Sequence, residues 1–247
     1  KIKIDTIQAN LEITISGINS KIELAKMERA IQLEKAYKLM KQGVTLLDPT
    51  RTDIRGQLDF GADVVIDVGC IFEGKVKIGR NVIIGAYSII KDCEILDDVT
   101  IKPYSHLDGA KIGKKNIIGP YARLRPGTET DNSVNIGNFV EIKNSKIGMG
   151  TKINHLSYVG DSIVGKNVNV GAGTITCNYD GVKKHQTIIE DNVFIGSNTQ
   201  LVAPVTIGAG STIGAGSTIT KNTPVNELSL SRAKQTSVPG WEKPKKN

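Results

Sequence analysis

Histidine is the side chain best suited to moving a proton near neutral pH, and the chain has three. His155 stands in INHLSYVGD, close to the hydroxyls of Ser157 and Tyr158 and inside a stretch of regular spacing, whereas His106 and His185 lie in polar or loop-like surroundings. His155 is therefore the best candidate for a general base, which takes a proton from an incoming nucleophile. A structural histidine is the competing reading. Upstream, RLRPG (123–127) and VEIKN (140–144) carry Arg123, Arg125, Glu141 and Lys143. Arg125 precedes Lys143 by eighteen residues, three lengths of a six-residue period that runs through the chain. The two cations should then stack at one corner of adjacent coils, a natural clamp for a phosphate. Two solvated surface cations fit the same spacing. His155 follows Lys143 by twelve residues, which sets it on a different face. A site that uses all three needs a bend or a neighbouring subunit.

The elements that must position these groups follow the period of six. Aliphatic residues recur at Ile78, Ile84, Ile90 and Leu96, at Ile112, Ile118 and Leu124, at Ile136 and Ile142, at Ile147, Ile153 and Val159, and at Ile195, Leu201, Ile207, Ile213 and Ile219. Glycine follows many of them, as at Gly79, Gly113, Gly137 and Gly196. Neither an amphipathic helix nor simple strand alternation has this period. Short strands joined by tight corners do, three to a triangular coil, so the fold class is all-β, a parallel β-helix with coils stacked about 4.8 Å apart. Its narrow interior excludes large rings, in keeping with an aromatic content of 4%. The register breaks between Gly173 and Asp191, where TITCNYDGVKKHQTIIE predicts a loop extruded from one corner, a common place for binding residues on a rigid scaffold. Before the repeat, Ser20 and Glu23 form a capping box. Leu24, Met27, Ile31, Leu33, Ala36, Tyr37 and Met40 then keep helical spacing, predicting a helix over 20–42 that ends at Gly43. After Ile219 the repeat stops, and a tail with Pro224, Pro239, Trp241 and Pro244 is expected to cap the last coil or dock on a neighbour.

Composition narrows the function classes. With 247 residues, 39% hydrophobic and 23% charged, the chain is a folding sequence of one long domain or one domain plus an appendage. No apolar run reaches the roughly 18 residues that span a bilayer, and KIKIDTIQAN lacks the apolar core of a signal peptide. A cytoplasmic protein without a membrane partner is expected. Lys1 in place of an initiator Met suggests a piece of something longer. Cys70, Cys93 and Cys177, odd in number and widely spaced, indicate buried thiols and no disulfide framework or Cys-rich zinc site. The net charge of +7 invites a nucleic-acid reading, but aromatics are scarce and no dense basic stripe accompanies them. Nucleic acid is not expected as a partner, and an anionic small molecule explains the surplus as well.

The strings DPTRTDIRG, GPYARLRPG, VGDSIVGKNVNVGAGTITCNYDG, VFIGSNTQLVAPV and SRAKQ, spread over about residues 17–242, resemble one family closely. It is the bifunctional bacterial enzymes that combine glucosamine-1-phosphate N-acetyltransferase with N-acetylglucosamine-1-phosphate uridyltransferase. GAGTITCNYDG is far more specific than any hexapeptide. The resemblance implies a left-handed parallel β-helix of hexapeptide repeats preceded by one linker α-helix, assembled as a homotrimer with sites between subunits. It implies acetyl transfer from acetyl-CoA to the amine of glucosamine 1-phosphate, on the way to UDP-N-acetylglucosamine, the precursor of peptidoglycan and lipopolysaccharide.

Carried over by motif, His155 is the base, and Arg125, Lys143, Tyr158, Asn169 and Lys184 bind the sugar phosphate. Ala172, Asn178, Tyr179, Ser197, Ala215 and Arg232 correspond to the acetyl-CoA positions, with the Ala172 N–H as oxyanion donor. Glu141 is expected to orient the site electrostatically. The Gly-rich nucleotide loop of the uridyltransferase half has no counterpart here. In GINSK (17–21), Asn19 matches a residue that binds Mg2+ and the UDP-sugar in the full enzyme; without its Asp partner it should hold no metal. The implied division is a uridyltransferase remnant at 1–19, a linker helix at 20–45, the acetyltransferase β-helix at 46–225 and a capping tail at 226–247. Three alternatives differ in class or substrate. A β-helical carbonic anhydrase needs three zinc-binding histidines, but separations of 49 and 30 residues fit no common coil register. A non-enzymatic scaffold sits poorly with the retained cationic set. An acetyltransferase for another sugar is the nearest.

Overall fold

Each hexapeptide folds as a short strand and a corner. The computed structural model describes residues 17–244. Parallel pairing runs from Thr45–Leu46 to Leu228–Ser229 and winds roughly ten coils. Residues 1–16 of the expected N-terminal remnant lie outside the described residues.

Three faces repeat along the axis. The first includes Ile117–Ile118, Asn135–Ile136, Lys152–Ile153 and Asn169–Val170. The second carries Arg123–Leu124, Glu141–Ile142 and Tyr158–Val159, and the third Lys111–Ile112, Glu129–Thr130 and Lys146–Ile147. One side chain of each short strand points inward, so Ile84, Ile101, Ile118, Ile136 and Ile153 form one fully buried column. Each such burial stabilises by about 1.5–3 kcal/mol. Buried corner hydroxyls are satisfied locally: Ser88 donates to the Gly85 carbonyl, Thr128 to Arg125 and Thr174 to Gly171, each at 2.7 Å. Beside the aliphatic positions the coils approach too closely for a side chain; a Cβ on Gly137 would strike the Asn154 carbonyl oxygen.

The coils are not all of one length. Arg123 pairs with Glu141, eighteen residues on, but Lys77 pairs with Glu94 and Asn138 with His155, seventeen on. The shorter coil overturns the inward assignment of Leu96: Ile95 is the buried residue and Leu96 faces out, 39% exposed. The other aliphatic positions read from the period are buried.

The extruded loop is also shorter than the break in pattern. Ile175–Cys177 pairs with Gln200–Val202 and Thr187–Ile189 with Val205–Ile207, which leaves 178–186 outside the ladder. Thr176 sits inside where an aliphatic residue was expected, its hydroxyl accepting from the Gly160 N–H at 2.8 Å, and so hides the repeat.

Helix α1 (Lys21–Lys41) begins with the expected capping box: the Glu23 N–H donates to Ser20 Oγ at 3.2 Å and the Ser20 N–H to Glu23 Oε2 at 3.1 Å. Its buried face is not the apolar stripe. Leu24, Ile31, Tyr37 and Met40 are exposed, and Gln32, Ala36 and Leu39 are buried. The reason is the first coil, whose open edge needs hydrogen-bond partners. The Ile54 N–H donates to Gln32 Oε1 at 2.6 Å, and Gln32 Nε2 and Lys35 Nζ donate to the Ile54 carbonyl at 3.2 and 2.7 Å. An ion pair between Arg29 and Asp53 at 2.7 Å completes the seat.

At the other end the repeat does not stop after Ile219, because Leu228–Ser229 adds a rung on Thr212–Ile213. Trp241 beyond it is exposed. Cys70 and Cys93 are buried, and burial pushes each thiol up to about 11, while Cys177 is partly exposed. Among the described residues no helix is long and apolar enough to cross a membrane.

Candidate active site

Two corners of the prism gather the candidate residues. At the corner between the first and second faces, His155 lies directly below Asn138. Ala172, Ser197 and Ala215 continue the same column, one per coil, with Ser231 below them and the guanidinium of the neighbouring Arg232 reaching back to Ala215. The Gly173 N–H donates to the Leu156 carbonyl, that of Asn198 to Ala172, that of Gly216 to Ser197, and Arg232 Nη1 to Ala215, all at 2.7–2.8 Å. Below His155, which is exposed, the column is lined by the small residues Ala172, Ser197 and Ala215. Its Nδ1 is 3.1 Å from Asn138 Oδ1. With Nδ1–H donating to that carboxamide oxygen, Nε2 is the free proton acceptor. A cleft of about 330 Å³ opens here, lined by Pro120, Asn138, Asn154 and His155 among others.

The corner between the second and third faces holds the cations. Arg125 and Lys143 stack on successive coils, the Arg125 N–H donating to the Ile142 carbonyl at 2.8 Å. Arg125 Nη1 is 2.9 Å from Glu141 Oε1, and Lys143 Nζ is 3.9 Å from Asp161 Oδ2. Lys184 reaches this corner from the loop, where the close approach and charge of Lys143 hold its ammonium below the usual lysine pKa. The loop is braced by Asp180, which accepts from Val182 N–H, Lys183 N–H and His185 Nε2 at 2.8, 2.6 and 2.6 Å. These bonds hold its carboxyl far below the usual carboxylate range. A cleft of about 690 Å³, lined by Gly127, Lys143, Asp161, Lys184 and His185 among others, opens between loop and prism.

The structure thus brings Arg125, Lys143 and Lys184 together, with Tyr158 on the adjoining face; the Tyr158 hydroxyl lies over Gly160 beside Asn178 Nδ2. His155, Ala172, Ser197, Ala215 and Arg232 form a second group, and Asn169 lies half-buried on the first face. Asn178 and exposed Tyr179 stand with the cations and not with the other positions that the sequence resemblance assigns to acetyl-CoA. Sequence reasoning overlooks Asp161, which accepts from Asn144 Nδ2 at 2.6 Å and from Asn178 Nδ2. Its signal is spacing alone: it follows Asn144 by seventeen residues, one short coil. Asn19 is exposed ahead of α1, its N–H donating to Glu23 Oε2 at 2.6 Å. Among the described residues no three His, Cys, Asp or Glu side chains are grouped as for a metal, and one amide oxygen does not fit magnesium's octahedral demand.

The family described as Bacterial transferase hexapeptide (six repeats) matches residues 186–221, and that described as GMPPB C-terminal domain matches residues 54–130. Fold and repeat define a hexapeptide-repeat β-helix protein of transferase type. Within that class the chain is a homologue of the Bifunctional protein GlmU, along the part of those proteins that it matches. It is 56% identical to that of Nitrosospira multiformis over 94% of this chain and 50% of the relative, and 53% identical to that of Azoarcus sp. over 99% and 54%. The chain spans about half the length of these relatives. Among solved structures, a UDP-N-acetylglucosamine acyltransferase of Francisella novicida overlaps 76% of this chain and 67% of that one, with a TM-score of 0.49 at 18% identity.

Proposed function

We propose that this chain transfers the acetyl group of acetyl-CoA to the amine of glucosamine 1-phosphate, giving N-acetylglucosamine 1-phosphate on the route to UDP-N-acetylglucosamine. The observation that carries the reading is the pairing of an oriented base above a column of small residues with a separate corner of three cations. Nε2 of His155 takes a proton as the sugar nitrogen attacks the thioester carbon. The C–S bond breaks, and the departing thiolate receives a proton from the imidazolium. The Ala172 N–H donates to the oxyanion, and Arg125, Lys143 and Lys184 bind the phosphate, with Glu141 steadying Arg125. Tyr158 and Asn169 hold the sugar; Asn178, Tyr179, Ser197, Ala215 and Arg232 hold acetyl-CoA.

Since the two corners lie at opposite edges of one face, the reading includes a homotrimer in which subunits share sites. Two features support self-association. Tyr87, Tyr104, Tyr121 and Phe139 stack at 5.0–5.4 Å along the corner that leads to His155, each about half exposed. Along the upper coils the outward positions of the third face, Lys77, Glu94, Lys111, Glu129 and Lys146, are charged, whereas the first face carries a single charge, Lys152, among Ile83, Thr100, Ile117, Asn135, Asn169 and Phe194. A cytoplasmic location and the division into remnant, linker helix, β-helix and tail belong to the same reading.

Thiol release from acetyl-CoA tests it. Glucosamine 1-phosphate should react well ahead of glucosamine and galactoside acceptors, and UTP with N-acetylglucosamine 1-phosphate should give no UDP-sugar. Release that favours an unphosphorylated acceptor moves the chain to another sugar, and none with any acceptor leaves a scaffold.

A further inference from the structure

Asp161 stands at the cationic corner with a side chain only 12% exposed. Both carboxylate oxygens are engaged: Oδ1 accepts from Asn144 Nδ2 at 2.6 Å, and Oδ2 accepts from Asn178 Nδ2 and faces Lys143 Nζ at 3.9 Å. Asn144 belongs to the coil above, and Asn178 is the first residue of the extruded loop. The loop returns to the same residue, with the Thr187 N–H 3.3 Å from the Asp161 carbonyl oxygen. Lys143 and Lys184 meet here as neighbouring ammoniums, an arrangement that repels unless an anion lies beside it. In the absence of substrate, Asp161 is that anion.

The charge is not needed to make the corner. On the three coils just before it the same left-handed position is filled by Gly109, Gly127 and Asn144, at φ of 60°, 81° and 44° against 49° for Asp161, and an aspartate, Asp92, recurs only one coil further back, where its carboxylate accepts from the Lys75 N–H. A neutral residue turns the chain equally well there. We propose that Asp161 is a positioning residue for the acceptor phosphate: its carboxylate holds Lys143 and Lys184 side by side and ties down the loop that carries Lys184. The inference rests on the reading of this corner as the phosphate site. Burial works against the charge, but hydrogen bonds from Asn144 and Asn178 and the two lysines outweigh it and keep the carboxyl below its ordinary value. The role is distinct from that of Glu141, which pairs with Arg125.

Asp161→Asn is the informative variant, since asparagine keeps the shape and tolerates the positive φ. It should raise the KM for glucosamine 1-phosphate by about tenfold or more, while kcat changes by less than about threefold and the melting temperature holds. In a Lys184→Ala background the same change should lose most of its effect, because residues that act through one another are not additive. Titration with inorganic phosphate reads the clamp without turnover and should show weaker binding in Asp161→Asn. An unchanged or lowered acceptor KM, the latter meaning that the carboxylate only competes with phosphate, overturns the proposal. So do additive effects with Lys184→Ala, and so does a wild-type protein that binds no phosphate. A wild type that binds phosphate, more weakly in Asp161→Asn, yet leaves glucosamine 1-phosphate unacetylated keeps the clamp and defeats the acetyltransfer reading alone.

Discussion

Asn138 occupies the Nδ1 side of His155, and the pairing of their two strands puts it there; on the proposed reading Nε2 is left to take the proton of the acceptor. His155→Ala should therefore lower kcat by about 100- to 10,000-fold with little change in the KM for acetyl-CoA. Steady-state kinetics with both substrates varied checks it; a near-normal rate would make His155 structural. Arg125→Ala should weaken glucosamine 1-phosphate far more than glucosamine, because only the former loses a charge-assisted contact, and binding isotherms for the two acceptors would show whether it does. Acid sensitivity also begins with single residues. Hydrogen bonds from Thr50 and Arg51 lower the Asp48 carboxyl from 3.8 to about 2, and those from Arg80 and Lys114 do the same for Asp97. Both folded-state values lie below the ordinary one, so the stability they lend is complete above about pH 4 and is lost as pH falls toward 2. Asp48→Asn and Asp97→Asn should flatten the dependence of melting temperature on pH in that window. His155, Arg125 and Lys143 were legible because their types suggest chemistry and the period gives their place. Asp161 was not, because an aspartate at a turn reads as a turn residue until its two carboxamide donors are seen.

A coil tolerates insertion only at its corners, since every strand between them must deliver an inward side chain in step with the coils on either side. The loop 178–186 obeys this rule, and its hydrogen bonds to the prism are few. Replacing Tyr179–His185 by a short Gly-containing turn should leave the melting temperature nearly unchanged while abolishing acetyl transfer, as Lys184 goes with it; a thermal melt and a turnover assay on one sample test both halves. Ile142→Ala, inside the prism, should do the reverse in kind, costing about 2–5 kcal/mol of stability in denaturant titration. The same rule explains what could be read from sequence and what could not. A strict period of six finds nearly every inward residue and fails at Leu96, where one corner residue fewer turns Ile95 inward. Helix α1 was legible from its capping box, but not its orientation. Its polar Gln32 seats the first coil, a demand set by the open backbone edge and invisible in an apolar stripe.

Along the upper coils, charge and aromaticity are sorted by face and corner. The aromatic ladder from Tyr87 to Phe139 stands half bare beside a face with few charges, and the face rich in charge looks away. Phe139→Asp should break the assembly into smaller species by light scattering and cut acetyl transfer with it, while circular dichroism stays that of the wild type; a fully active monomer would sink the shared-site reading. Parallel coils also make a ruler. From His155 through Ala172, Ser197 and Ala215 to Ser231 there are four steps along one corner, about 19 Å at the usual inter-strand spacing of about 4.8 Å. On the proposed reading such a graduated edge measures the reach of an acyl donor: an arm anchored at the Arg232 guanidinium beside Ala215 must run back along the edge to present its thioester to the imidazole. An acetyl donor trimmed at the anchored end should then bind loosely and, once saturating, react at close to the ordinary rate.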